Sequence, residues 1–184
     1  HRAAPAPEVF EVLKLEVPNV SSRMDNLRAA ILRPQIAMLD DRRARWRALY
    51  QGMEEGLAGV PGLHLIPRPQ HEDYMGSSFQ FLLPGWEPAR VAAFVLGAAA
   101  RGVELKWFGA EDPMGFTSRY AHWQYAQPEV LPQTDAVLAG LIDMRLPLTF
   151  TPADVALIAR IIAEEVPRAA AAVPADRVHV TAAD

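Results

Sequence analysis

Residues 21–40 read SSRMDNLRAAILRPQIAMLD and open the longest segment with helical periodicity in the chain. The apolar residues continue to residue 57 at steps close to multiples of three or four, as one stripe of a helix requires. That stripe consists of Met24, Leu27, Ile31, Leu39, Trp46, Tyr50, Met53 and Leu57. A helix this long, with a charged opposite face over residues 40–47, is predicted to connect two bodies rather than to belong to one.

The start and the middle of this connecting helix carry their own signals. Ser22 is predicted to be the N-cap, and Asp25 completes a pattern like a capping box. Pro34 must remove one backbone hydrogen bond, so we expect a kink there or a break into two collinear helices.

Composition excludes several functional classes. The chain has 184 residues, of which 51% are hydrophobic and 22% charged, with a net charge of −4. The net negative charge argues against nucleic-acid binding, and no apolar run approaches the roughly 20 residues that span a bilayer. The absence of cysteine excludes disulfides and thiolate zinc sites and fits a cytoplasmic protein. Because the chain begins with histidine, we expect it to be a piece of a longer protein.

After residue 60, strand and helix patterns alternate. Phe79 and Phe81 alternate with Ser78 and Gln80, as in a strand with one buried face. The chain is therefore predicted to be an α/β protein, or an α+β small domain, with a small, mostly antiparallel sheet and helices on one face. The predicted strands are 63–66, 77–83, 103–108 and 143–146, and the predicted helices are 87–101, 132–141 and 151–167.

Four segments organise the chain on this interpretation. Residues 1–20 are the end of a preceding domain, and 21–58 form the connecting helix, kinked near Pro34. Residues 59–168 form a small C-terminal domain, whose last helix Pro167 is expected to end. Residues 169–184, rich in alanine and with Pro174, form a loosely held tail.

The loop over residues 109–128 holds the candidate site. It combines the titratable ring of His122, the cation of Arg119 and the aromatic side chain of Tyr120, which are ingredients of a pocket for a polar substrate. A surface loop held in place by its aromatic residues explains the same pattern equally well. The histidines lack the spacing of a metal site, and both lysines, Lys14 and Lys106, are predicted to be structural or exposed.

The segment RMDNLRAAI at residues 23–31, followed by Gln35-Ile36 and Leu39-Asp40, resembles the R-M-x-x-L-x-A-A-I … Q-L-x-x-L-D signature of the DegT/DnrJ family of sugar aminotransferases. These are pyridoxal-phosphate enzymes of the aspartate-aminotransferase fold type, fold type I. The resemblance extends from about residue 17 to residue 166 and corresponds to the C-terminal part of a family member. It implies that residues 1–20 are a remnant of the large cofactor domain.

The resemblance also implies an activity, which is transfer of an amino group from glutamate or glutamine to a nucleotide-linked keto-sugar in a homodimer. The family position that contacts the cofactor phosphate of the partner subunit, usually asparagine, is Ser21 here, two residues before the motif arginine Arg23. Ser21 and Arg23 are therefore the expected cofactor-binding residues. His122, Arg119 and Tyr120 would bind the substrate. The Schiff-base lysine would lie upstream, so this chain alone contains no catalytic residue and should be inactive.

Two other interpretations remain open. The chain could be a binding or dimerisation domain that kept the fold without the chemistry, as Ser21 in the asparagine position would permit. It could also be an unrelated small α/β ligand-binding domain. That second alternative requires the stripe from Met24 to Leu57 to pack on the chain's own body.

Overall fold

The computed structural model describes Glu16 and residues 24–113, 119–127 and 129–172. Most of residues 24–172 form helices and short strands. In chain order they are α1 Asn26–Ala37, α2 Leu39–Leu57, β1 His64–Leu65, β2 Ser78–Leu82, α3 Pro88–Ala100, β3 Lys106–Trp107, a 3-10 helix Tyr120–His122, α4 Pro132–Gly140, β4 Leu141–Arg145 and α5 Pro152–Ala172.

The four strands form one antiparallel sheet in the order β1-β2-β4-β3. In its centre Phe79 lies opposite Met144 and Phe81 lies opposite Ile142, and all four side chains are buried. Tyr50 of α2 packs on Phe79, and Phe94 of α3 packs on Phe81. The predicted α/β fold with a small antiparallel sheet covered by helices is therefore confirmed.

The boundaries of two predicted strands are wrong. The strand predicted over 103–108 is only Lys106–Trp107, and the one predicted over 143–146 runs from Leu141 to Arg145. Pairing explains both differences. The strand β4 follows the register of its long neighbour β2, where Leu82 lies opposite Leu141, and β3 consists of the two residues that pair with β4. Alternation of side chains in a sequence does not report where such a ladder begins.

The connecting segment consists of two helices, with the break at Met38. Pro34 lies inside α1. The amide of Met38 donates to the carbonyl of Gln35, three residues earlier, at 3.2 Å, whereas a regular α-helix uses the carbonyl four residues earlier. Asp25 is the N-cap of α1 and accepts a hydrogen bond from the amide of Arg28 at 2.8 Å. The predicted N-cap, Ser22, lies outside the described residues, and the helix begins after it.

Only the second half of the predicted apolar stripe is covered by this chain. Met53 and Leu57 of α2 are fully buried, whereas Leu27 and Ile31 of α1 are 70% and 52% exposed. No residue of α1 is buried. The chain's own body therefore does not cover α1, which does not favour the interpretation as a separate small ligand-binding domain.

The helix α5 packs against both α2 and α3. A Cβ atom at Gly56 of α2 would lie 2.6 Å from the Cβ of Ala159, closer than such atoms approach in proteins. On the other side, the buried carboxylate of Glu165 accepts hydrogen bonds from Arg101 at 2.9 Å and from Arg168 at 2.6 Å. The position of α5 is thus set by small residues where it meets α2 and by an ion-paired carboxylate where it meets α3.

The predicted stop at Pro167 is wrong, because α5 continues through Pro167 to Ala172. A proline inside a helix costs about 3 kcal/mol. Burial of Val166 and Ala169 and the ion pairs of Glu165 on both sides of the proline offset that cost. Residues 169–172 of the predicted tail are therefore helical, and residues 173–184 lie outside the described part.

Replacing Gly56 with alanine tests the close approach of α2 and α5. Alanine favours a helix by about 1 kcal/mol over glycine, but its methyl group would overlap Ala159. We expect a net loss of about 1–3 kcal/mol in the free energy of unfolding, measured by urea titration. The exposed neighbour change Glu55→Ala should alter it by less than about 0.5 kcal/mol. A Gly56→Ala variant more stable than the parent would contradict the close contact.

Glu165 makes stability depend on pH in a defined direction. Burial alone would raise the pKa of Glu165, but the hydrogen bonds from Arg101 and Arg168 outweigh it and lower the pKa below its ordinary value of 4.5. The stabilisation that Glu165 provides is therefore complete above pH 4.5, the ordinary pKa. It is lost as the pH falls through the lower pKa that Glu165 has in the folded protein. Urea midpoints measured from pH 7 to pH 3 should fall less steeply for Glu165→Gln than for the parent. The matched change Glu164→Gln, at a more exposed carboxylate, should keep the parent's slope.

Candidate substrate-binding segment

The three predicted substrate residues are brought together on one short turn. Tyr120–His122 form a 3-10 helix between β3 and α4, and Arg119 directly precedes it. The amide of His122 donates to the carbonyl of Arg119 at 2.9 Å, which closes the turn. Residues 114–118 and 128 lie outside the described part, so the geometry of the segment is that of residues 119–127.

Both ring nitrogens of His122 contact the backbone. The amide of Arg119 donates to Nδ1 at 3.1 Å, and Nε2 lies 2.8 Å from the carbonyl oxygen of Glu111. The ring thus joins the segment that follows β3 to the 3-10 helix.

Tyr120 ties the same turn to α4. Its hydroxyl lies 2.9 and 3.0 Å from the two oxygens of the Asp135 carboxylate, to which it donates its one proton. Burial and this hydrogen bond both raise the pKa of Tyr120, so the hydroxyl remains a donor at neutral pH. Asp135 was not a predicted site residue, because no local motif links positions separated by 15 residues.

Arg119 carries the cation of the segment. Its Nε atom is buried and has no hydrogen-bond partner. Within the described residues, its guanidinium makes no ion pair with a carboxylate. A buried donor without a partner is uncommon in folded proteins, and a guanidinium is well suited to carboxylate and phosphate groups.

Two aromatic side chains continue the segment. The rings of Trp123 and Tyr125 stack with centroids 5.7 Å apart and planes at 12°, and both remain partly exposed. Together with Arg119 they present a cation and two aromatic rings within a few residues. This combination can bind a flat or anionic ligand.

The remaining residues considered in the sequence are Ser21, Arg23 and Lys106. Ser21 and Arg23 lie outside the described residues. Lys106 is half-buried on the edge strand β3, opposite Asp143, and borders a depression of about 400 Å³. Among the described residues there is no group of three metal-ligating side chains, and no described helix is long and apolar enough to span a membrane.

A comparison of the sequence with known protein families gives a match. The sequence model described as the DegT/DnrJ/EryC1/StrS aminotransferase family matches residues 8–163. The chain belongs to this family. A comparison with the curated proteins gives no significant match.

Solved structures of similar fold include several aminotransferases. 3-Amino-5-hydroxybenzoic acid synthase is 19% identical, with a TM-score of 0.61 over 88% of this chain and 46% of its own. DesV from S. venezuelae, solved with a ketimine intermediate, is 23% identical, with a TM-score of 0.60 over 88% of this chain and 45% of its own. DesI, solved in the presence of its TDP-sugar product, is 15% identical, with a TM-score of 0.62 over 90% of this chain and 43% of its own. The chain thus spans less than half the length of these three solved structures and shares the fold of fold-type-I aminotransferases.

Changing Tyr120 to phenylalanine tests the tie between the 3-10 helix and α4. Loss of one charge-assisted hydrogen bond should speed amide exchange of residues 120–123 by about tenfold, measured by mass spectrometry. The control is Tyr125→Phe, whose ring stacks on Trp123 and whose hydroxyl makes no hydrogen bond within the described part of the chain. Equal exchange in Tyr120→Phe and the parent would show that the hydroxyl of Tyr120 does not hold the turn.

Proposed function

We propose that this chain is the C-terminal part of a pyridoxal-phosphate-dependent aminotransferase that transfers an amino group from glutamate or glutamine to a nucleotide-linked keto-sugar. The family match over residues 8–163 carries the proposal. The TDP-sugar product of the structurally similar DesI supports the substrate class. A second substrate class to test is a non-sugar ring, because the structurally similar 3-amino-5-hydroxybenzoic acid synthase is named for such a product.

The coenzyme would supply the electron sink for amino transfer. The described residues do not form a complete site for it, because their single lysine, Lys106, lies on the edge strand β3 opposite Asp143. The coenzyme and its lysine therefore belong, in this proposal, to the rest of the full-length protein. Ser21 and Arg23 are proposed to reach the coenzyme phosphate of the partner subunit. This chain alone would then be inactive.

We assign the segment of Arg119, Tyr120 and His122 to the binding of the substrate. Arg119 provides a positive charge that no described carboxylate neutralises, which suits the diphosphate of a nucleotide-sugar. Tyr120 and His122 connect that charge to the rest of the domain through Asp135 and Glu111. The segment binds and orients the substrate in this proposal and takes no part in the bond changes at the coenzyme.

The exposed side of α1 supports a homodimer and a preceding cofactor domain. Leu27, Ile31 and Ile36 are more than half exposed on a helix that contributes nothing to the core of this chain. Apolar residues left uncovered in this way commonly mark an interface. In the full-length protein, α1 would be covered by the cofactor domain and the partner subunit, in a cytoplasmic enzyme.

A non-catalytic binding or dimerisation domain is the second candidate. Serine at position 21, where the family usually has asparagine, favours it. This candidate predicts a colourless full-length protein that forms dimers. Purified full-length protein mixed with pyridoxal phosphate should instead be yellow, and borohydride should attach the coenzyme to a lysine outside this chain.

An activity assay tests the substrate side directly. Full-length Arg119→Ala should raise the KM for a TDP-keto-sugar by about tenfold to a hundredfold, with a smaller effect on kcat, because a charge-assisted contact is lost. The matched change Arg160→Ala, at an exposed arginine of α5, should leave both constants unchanged. An unchanged KM in Arg119→Ala would show that Arg119 does not bind the substrate.

A further inference from the structure

The two contacts of His122 determine which nitrogen carries the ring proton. A backbone amide can only donate and a backbone carbonyl can only accept. Because the amide of Arg119 points at Nδ1, Nδ1 must be the unprotonated acceptor. Because the carbonyl of Glu111 lies 2.8 Å from Nε2, Nε2 must carry the proton and donate it. The backbone alone thus selects the neutral tautomer.

This arrangement occupies both nitrogens of the ring. A doubly protonated ring could not accept the hydrogen bond from Arg119, and a ring that gave up the Nε2 proton would lose its bond to Glu111. Proton transfer to or from His122 would therefore break one of the two bonds. A general acid or base needs a nitrogen directed at the substrate, and neither nitrogen of His122 is.

The two hydrogen bonds of His122 form a cross-link that holds Arg119, the residue of this segment that carries the positive charge. Glu111 and His122 are separated by 11 residues, so the ring fastens the end of the segment after β3 to the turn that begins at Arg119. Tyr120 fastens the other side of the same turn to Asp135 of α4. The backbone of Arg119 is thus fixed from two directions, while its guanidinium makes no ion pair with any described carboxylate.

We propose that His122 is a positioning residue, which acts as a neutral cross-link between Glu111 and Arg119 and sets the place of the Arg119 guanidinium without contacting the substrate. This inference rests on the proposed function for its substrate, an anionic nucleotide-sugar, but the cross-link itself does not. Arg119 is then the residue of this segment that meets the anion.

Three substitutions of His122 in the full-length protein separate the two hydrogen bonds. His122→Asn keeps an acceptor near the position of Nδ1, His122→Gln can keep a donor near the position of Nε2, and His122→Ala removes both. His71→Ala, at an exposed histidine of the β1–β2 connection, is the matched control. Amide exchange of residues 119–122 and the steady-state constants for a TDP-keto-sugar are measured for each protein.

A positioning role predicts a defined pattern. His122→Ala should speed exchange of residues 119–122 about tenfold and raise KM, while kcat stays within about threefold. His122→Asn should restore most of the protection and most of the KM, because it still accepts from Arg119. The shape of the pH profile of kcat should be the same in all variants and in His71→Ala.

Two results would overturn the inference. The first is a loss of about a hundredfold or more in kcat for all three His122 variants with one limb of the pH profile missing, since that is the signature of a catalytic acid or base. The second is unchanged exchange of residues 119–122 in His122→Ala, which would show that no cross-link exists. If the parent protein has no aminotransferase activity, the proposed function fails, while the exchange measurement still decides the cross-link.

Discussion

The contact between α2 and α5, where Gly56 meets Ala159, is the constraint on which the rest of the structure depends. Without a side chain at position 56, the two helices approach closely enough to bury Met53 and Leu57 on one side and Ile162 on the other. The helices α2 and α3 cover the face of the sheet that carries the phenylalanines of β2, and α5 packs on both helices. Any separation of α2 from α5 would expose these buried apolar side chains.

The candidate substrate-binding segment, residues 119–127, depends on hydrogen bonds rather than on burial. Its turn is short and partly exposed, so apolar packing contributes little there. The Tyr120 hydroxyl and the His122 ring fasten it instead, each to a group distant in sequence. This arrangement leaves Arg119 held by its backbone while its charge faces no described carboxylate. A fixed backbone with an available cation lowers the entropic cost of binding an anion.

Much of the fold follows from local patterns, and the exceptions have physical causes. Alternation predicted β2, and proline at the start with glycine past the end predicted α3, because those signals lie within each element. Pro167 was expected to end α5, but burial of residues on both sides of the proline outweighs its cost. Strand ends depend on the partner strand, which a local pattern does not contain.

The sequence by itself determined the family, through the motif at residues 23–31, and the periodicity of the connecting segment. It also singled out Arg119, Tyr120 and His122. Only the tertiary structure decided that the stripe is covered from Trp46 onward and exposed before it, because burial depends on which other elements pack against a surface. It also decided that His122 faces the backbone at both nitrogens, because Glu111 and Arg119 are brought to its ring by the folding of the whole segment and not by spacing along the chain.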